Sequence, residues 1–132
     1  MRLLFLFACL SLSLMASTCS SSDPRGGNRR LQLLERTWLH AHEEDQGEVL
    51  VYRPNTYAFP PSRGRTGFAF EHNGLFTQYD IAPTDGLEGH KGQWKALSDN
   101  RVSITLDDHS TPDYQLEIVS LEPELLKVRQ VK

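Results

Sequence analysis

The spacing of hydrophobic and polar residues divides this chain into two unlike parts. An apolar run extends from Leu3 to Met15, whereas apolar and polar residues alternate with a period of two from Trp38 onward. Turn-forming residues interrupt the alternation about every eight to twelve residues, which is typical of an all-β sandwich or barrel. We predict eight strands: Trp38–Glu43, Glu48–Arg53, Thr66–His72, Leu75–Ile81, Glu88–Leu97, Arg101–Leu106, Asp113–Ser120 and Leu125–Val131.

Short turns connect most of these strands. Asn73-Gly74 favours a two-residue hairpin, because both residues tolerate a positive φ. Short connections imply antiparallel neighbours, and about eight such strands close most simply into an up-and-down meander barrel without exposed edges. Leu31 and Leu34 recur at helical spacing ahead of the first strand and predict a short helical turn there.

The first part of the chain predicts export. Arg2 precedes the apolar run and the small residues 16–18 follow it, which is the arrangement of a secretory signal peptide. The run is too short to cross a bilayer as a helix, which needs about 20 apolar residues. We predict a signal peptide over 1–18, a polar and flexible tether over 19–28, and one domain over 29–132.

Cys19 directly follows the small residues and resembles the cysteine of the bacterial lipoprotein lipobox, although Ala16 and Thr18 depart from its usual residues. The resemblance implies that Cys19 is acylated and that the lipid bilayer is a partner. Each buried acyl methylene contributes about 0.8 kcal/mol. In some bacterial lipoproteins an acidic residue directly after the cysteine is associated with retention in the inner membrane. Ser20 is not acidic, so we favour the outer membrane within the cell envelope. The alternative is a signal peptide cleaved near Ala16 and a secreted protein.

Composition narrows the classes of partner. The net charge is −3 and the acids and bases are interspersed, so the basic stripe typical of nucleic-acid binding is missing. Cys19 is the only cysteine after the signal, so we expect no internal disulfide. We also expect a monomer without a cofactor. The acidic run Glu43-Glu44-Asp45 is typical of a solvated turn, with a cation site or general base as the alternative.

Short motifs resemble those of lipocalin-like domains. Residues 33–38, Leu-Leu-Glu-Arg-Thr-Trp, resemble the start of the first strand of that family, with Arg36 where Gly is usual. Residues 68–76 resemble its central hairpin, and Gly92-Gln93-Trp94 resembles a later Gly-x-Trp strand. The resemblance covers Leu33 to about Gln130. It implies a small calycin-type barrel that binds a small apolar ligand or a partner protein.

The leading hypothesis is a non-enzymatic binding module with its ligand inside the barrel. An eight-stranded barrel either holds one small ligand or is filled by its own side chains. The candidate ligand-binding residues are Leu50, Tyr52, Phe68, Phe70, Tyr79 and Trp94. A filled barrel would instead indicate a domain for protein–protein interaction in the cell envelope.

The interaction hypothesis rests on the long loop Asn55–Arg65. Pro60-Pro61 stiffens this loop, and the guanidinium groups of Arg63 and Arg65 suit carboxylate or phosphate recognition. The two arginines can equally pair with acids of the next long loop, and we expect at least one of them to do so. The candidate acids are Asp80, Asp85 and Glu88.

A metal-dependent enzyme is the least favoured hypothesis. On strict alternation His40 and His42 share a face with Trp38, and His90 shares a face with Trp94. Two histidines at i and i+2 and a third from a neighbouring strand can ligate a metal ion. The sequence has no nucleophile elbow, phosphate loop or zinc signature, so we expect no catalytic residues.

Overall fold

The computed structural model describes residues 29–84 and 86–132, and its eight strands form a closed antiparallel barrel. The strands are β1 (Thr37–His40), β2 (Leu50–Pro54), β3 (Gly67–Phe70), β4 (Leu75–Ile81), β5 (Leu87–Ser98), β6 (Arg101–Leu106), β7 (Tyr114–Glu122) and β8 (Leu125–Val131). Two short 3-10 helices are η1 (Leu31–Leu34) and η2 (His42–Glu44). The predicted all-β barrel and its N-terminal helical turn are confirmed. The predicted signal peptide, the tether and Cys19 lie outside the described residues.

The strand order corrects the predicted meander at one point. Strands β3 to β8 follow one another around the barrel, but β1 and β2 exchange places, so β1 pairs with β3 and β2 pairs with β8. Strands β2 and β3 are both antiparallel to β1 and therefore run parallel to each other. Parallel strands need a crossover of about a dozen residues, and residues 55–66 supply it from the Thr37 end of β1 to its His40 end.

Helix η1 closes one end of the barrel. Leu31 and Leu34 are buried, and the indole N–H of the fully buried Trp38 donates to the Leu34 carbonyl at 3.0 Å. Arg36 donates to the Pro123 carbonyl at 2.8 Å, and its Cζ lies 5.6 Å from the centroid of the Trp38 ring. The arginine that departs from the lipocalin-like pattern thus ties η1 to the β7–β8 turn.

Alternating burial explains why these segments form strands of one barrel. Buried and half-buried residues alternate strictly along β6, and the core between β6 and β8 is aliphatic. Its members are Val102, Ile104, Leu106, Leu116, Ile118, Leu121, Leu126 and Val128. Strands β1 to β5 contribute aromatic rings instead, so the interior has one aliphatic and one aromatic side.

No helix among the described residues, 29–84 and 86–132, is long and apolar enough to cross a membrane.

Candidate functional site

The two ends of the barrel differ in their exposure to solvent. Near η1 the inward-facing Phe70 and Phe76 are 2% and 1% exposed. At the other end, several inward-facing positions are only half-buried, and most of these are polar. They include Leu50, Gln78, His90 and Tyr114. This open end, formed by the inward faces of β2, β4, β5 and β7, is called the mouth.

Gln78 joins three elements of the mouth through its amide group. Its Nε2 donates to Asp80 Oδ2 at 2.9 Å and to Thr111 Oγ1 at 3.4 Å. Its Oε1 accepts a hydrogen bond from the Tyr114 hydroxyl at 2.8 Å. Burial, with smaller contributions from Tyr52 and Asp80, raises the pKa of Tyr114, so this hydroxyl stays protonated as a donor.

His90 faces three carboxylates at the mouth. Its Nδ1 lies 2.5 Å from Asp108 Oδ2, and its Nε2 lies 3.7 Å from Asp80 and 3.8 Å from Glu88. The hydrogen bond to Asp108, followed by the charges of the three acids, raises the pKa of His90 against the opposing effect of desolvation. The same bond and the Ser110 N–H hold the pKa of Asp108 well below its usual range.

Asp45 holds His40 in place on the β1–β2 side of the mouth. The His40 Nε2 lies 2.8 Å and 3.0 Å from the two Asp45 oxygens, and Asp45 also accepts from the Val51 N–H at 2.9 Å. The His40 ring stacks on Tyr52 with centroids 5.0 Å apart. Burial and the nearby Asp45 charge raise the pKa of Tyr52, so its hydroxyl stays neutral.

The structure does not assemble the three candidate metal ligands. Strand β1 ends at His40, so His42 lies in η2 and contacts Ser62, and His90 pairs with Asp108. Within residues 29–84 and 86–132 no group of three His, Cys, Asp or Glu side chains is placed to hold a metal ion. The alternation argument does not extend to His42 because the chain leaves the strand before that residue.

Four of the predicted ligand-binding aromatics contact one another in the core. Ring centroids lie 4.5 Å apart for Tyr52 and Phe68, 5.1 Å for Phe68 and Phe70, and 5.4 Å for Phe70 and Trp94. Trp94 is half-buried, and its indole N–H donates to the Glu71 carbonyl at 2.9 Å. These contacts fill the interior between Tyr52 and the closed end.

The remaining two candidates take different positions. Leu50 packs against the edge of the core at the mouth. Tyr79 lies on the other face of β4 from Phe76 and Gln78, beside Gly89 on the outer wall, so the structure does not place it with the others. Its inclusion in the predicted set was an error of strand parity, because Phe76 and Gln78 are the inward-facing positions.

Arg65 is the one buried charged residue among those the structure describes. Its guanidinium binds both carboxylate oxygens of Glu43 and donates to the carbonyls of His40 and Pro60. Its Cζ lies 4.6 Å from the centroid of the Phe59 ring. The hydrogen bond from Arg65 is the main cause that lowers the pKa of Glu43 to about 2.

The expected pairing of a loop arginine is thus present, but the acids expected as its partners were wrong. Arg65 binds Glu43 because the β1–β2 exchange carries the crossover loop along β1, which brings Arg65 beside η2. Asp85 lies outside the described residues. Arg63 is exposed and forms no ion pair with any residue that the structure describes.

Each acid of the run 43–45 holds a specific partner, so this run is not a freely solvated turn. Glu43 binds Arg65, Glu44 binds Arg53 at 2.7 Å, and Asp45 binds His40. The run forms one wall of an open groove of about 440 Å³ on the outside of β2 and β8. Because all three carboxylates are engaged, the groove offers an incoming cation no free acid from this run.

The sequence analysis did not bring together the polar residues that define the mouth, and it named neither Gln78 nor Asp108. Asp108 and Tyr114 come from the β6–β7 side, whereas Gln78 and Asp80 come from β4. A signal existed in β4, where Phe76, Gln78 and Asp80 share a period-two face, but an inward glutamine is not distinguishable from an outward one without the register.

Comparison of this chain with protein-family models, with curated proteins and with solved structures finds no match. The class of this protein is therefore defined by its structure alone. It is an eight-stranded antiparallel closed barrel, shut at one end by a 3-10 helix and open at a polar mouth, and it is compatible with a lipocalin-like fold.

Proposed function

We propose that this protein is an exported, lipid-anchored, lipocalin-like domain that binds a small ligand at the mouth of its barrel without catalysing a reaction. The difference in exposure between the two ends carries this proposal. Phe70 and Phe76 near η1 are buried, whereas Leu50, Gln78 and Tyr114 at the mouth are half-buried.

The side chains of the mouth favour a ligand with an apolar body and one polar group. Leu50 is half-buried and offers apolar surface at the edge of the aromatic core, where Tyr52 is buried. On the facing wall, Gln78 Oε1 and the Tyr114 hydroxyl oxygen keep acceptor capacity beside their mutual hydrogen bond, so they suit a donor group of the ligand. A site of this kind, largely apolar with a few placed polar groups, is typical of small-molecule pockets. The aromatic filling excludes a ligand from the deeper half of the barrel.

Binding is tested with a neutral apolar fluorophore, 1-N-phenylnaphthylamine, added to the purified protein after delipidation. We expect saturable fluorescence enhancement that Leu50→Arg weakens at least about tenfold, which corresponds to about 1.4 kcal/mol. The arginine brings a charge to the half-buried apolar edge of the mouth. Val119→Arg is the matched control, because Val119 is 44% exposed on β7 and lies away from the mouth.

Equal weakening by both variants would contradict binding at the mouth. The natural ligand is sought by organic extraction of freshly purified protein and mass spectrometry. A wild-type protein that yields no extracted molecule and binds no fluorophore would rule out the binding module.

A protein–protein interaction domain is the second candidate, and the mutual contacts of the core aromatics favour it. The cross-strand pair Ile81 and Leu87, 48% and 56% exposed, adds an apolar edge beside the mouth. This function predicts that crosslinking on intact cells joins the protein to one specific partner. Ile81→Lys combined with Leu87→Lys should abolish that product, whereas Leu75→Lys on the same strand should preserve it.

The lipid anchor is tested through the two cysteines of the chain. We expect Cys19→Ala to move the protein from the membrane fraction to the soluble fraction, because the acyl chains that bind the bilayer are lost. Cys9→Ala, inside the predicted signal peptide, is the matched control and should leave the protein in the membrane fraction. Unchanged fractionation of Cys19→Ala would exclude acylation of Cys19 as the anchor.

A further inference from the structure

The connection between β6 and β7, residues 107–113, leans over the mouth and is called the lid. The Asp107 N–H donates to the Lys91 carbonyl at 2.9 Å and continues the β5–β6 pairing. Thr111 then reaches Gln78 on β4, which is two strands away from β6 in the barrel. The lid therefore spans the end of β5 and covers that side of the mouth.

His90 is the main contact of the lid with the barrel wall. Asp108 Oδ2 and Ser110 Oγ lie 2.5 Å and 3.3 Å from His90 Nδ1. The lid has little regularity of its own, since His109 has a φ of +52° and the Ser110 N–H donates to Asp108 Oδ1 within the same turn. Beyond the backbone bond of Asp107, the lid contacts the barrel wall through the side chains of Asp108, Ser110 and Thr111.

Carboxylates face His90 from each of the three elements around it. Asp80 on β4 and Glu88 on β5 are direct cross-strand partners, and Asp108 approaches from the lid. Like charges directly opposite each other on antiparallel strands are destabilising. A protonated imidazole lies between these acids and offsets their repulsion, whereas a neutral imidazole does not.

We propose that His90 controls the lid through its proton: protonated His90 holds residues 107–113 closed over the mouth, and loss of that proton releases them. The consequence for ligand access rests on the proposed function, because it assumes that the mouth is the binding site. The opening itself depends only on the cluster of His90 with its three acids.

The sign of the pH dependence follows from the two shifted groups. Because the pKa of His90 lies above its ordinary value of 6.5, its contribution to closure is complete below 6.5 and is lost as the pH rises through the raised pKa. Because the pKa of Asp108 lies below its ordinary value of 3.8, its contribution is complete above 3.8 and is lost in stronger acid. The lid is therefore most firmly closed between pH 3.8 and pH 6.5, and it opens as the pH rises above this range.

The test is an NMR titration of the purified, isotope-labelled protein without ligand. One readout is the ring shift of His90. The other is the protection against hydrogen exchange of the Asp107 amide, which bonds the Lys91 carbonyl of β5, corrected for the intrinsic rate. We expect lid protection to fall along the His90 titration curve, at a pH above 6.5. The fall should be about tenfold for each unit by which closure raises the pKa.

His90→Gln keeps a polar side chain of similar length that does not take up a proton. Its lid should show at about pH 6 the low protection that the wild type shows at about pH 9. The matched control is His72→Gln, because His72 is 86% exposed and pairs with Glu35 at the closed end. Asp108→Asn provides a second variant, in which the pKa of His90 falls towards 6.5 and the lid opens at lower pH.

Amide protection along β4 shows whether each variant is folded. Lid protection that stays constant while His90 titrates would overturn the proposal, as would a wild-type profile in both His90→Gln and Asp108→Asn. A protein that binds no ligand refutes the proposed function while leaving the lid titration readable. If the fluorophore binds at the mouth at the same rate at about pH 6 and about pH 9 although the lid opens, the lid does not control ligand access.

Discussion

Trp38→Ala is expected to lower the free energy of unfolding by about 3–5 kcal/mol, the range for removing a large buried aromatic side chain. Trp38 has no exposed surface, and its indole bonds the Leu34 carbonyl of η1. The substitution therefore opens a cavity and also loosens the helix that closes the barrel. Urea denaturation followed by circular dichroism measures the change.

Two controls separate this effect from a general loss of apolar surface. Leu33→Ala removes an apolar side chain from the exposed side of η1 and should stay within about 0.5 kcal/mol of wild type. Trp94→Ala should cost less than Trp38→Ala, because Trp94 is only half-buried at the edge of the core. A Trp38→Ala variant as stable as Leu33→Ala would contradict the placement of Trp38 beneath η1.

Arg65→Ala is expected to lower the free energy of unfolding by about 2–3 kcal/mol, because a hydrogen bond of a charged group contributes about 1.5–3 kcal/mol. Arg65 is 8% exposed and binds Glu43 as well as the carbonyls of His40 and Pro60. Without the Arg65 side chain, the crossover loop loses its hydrogen bonds to β1 and η2. The same denaturation experiment measures the effect.

Arg63→Ala is the matched control, since Arg63 lies two residues earlier in the loop and is exposed. Its stability should stay within about 0.5 kcal/mol of wild type. Arg65→Lys should rescue only partly, because an ammonium group does not form the two-pronged bond to a carboxylate.

The pH dependence of this stability difference checks the contribution of Glu43. Since the pKa of Glu43 is lowered from 4.5 to about 2, the stabilisation by the Glu43 pair is complete above 4.5 and is lost towards pH 2. The stability difference between Arg65→Ala and wild type should therefore narrow towards pH 2, while the part due to the His40 and Pro60 carbonyls persists. A difference that stays the same size from about pH 5 to about pH 2 would show that Glu43 contributes nothing to the effect of Arg65.

Local pattern was sufficient to predict most strands. The predicted limits of β4, β6 and β8 agree with the structure, because each begins and ends beside a turn. Burial also alternates along β6 and along the first part of β8. Strand β1 is shorter than predicted: alternation of apolar and polar residues continues to His42, but η2 begins there. Periodicity measures which residues prefer a half-buried surface, and it does not show where the backbone leaves the strand.

The candidate site was predicted less completely than the fold. Tyr52, Phe68 and Phe70 were correctly predicted to face inward, because aromatic residues on a period-two face indicate the core. Their role as pocket lining is not what the structure shows, since their rings fill the space between them. The polar mouth around Gln78 arises from three strands and the lid, and no local pattern links residues so distant in sequence.

Sequence alone determined that this chain forms a β-barrel domain with a helical turn before Trp38, because alternation and turn residues act locally. Tertiary structure decided the exchange of β1 and β2 and, with it, the path of the crossover loop and the pairing of Arg65 with Glu43. It also decided that His90 meets Asp80, Glu88 and Asp108. Strand order and register depend on the packing of the whole barrel, and charged side chains find their partners only once that packing is set.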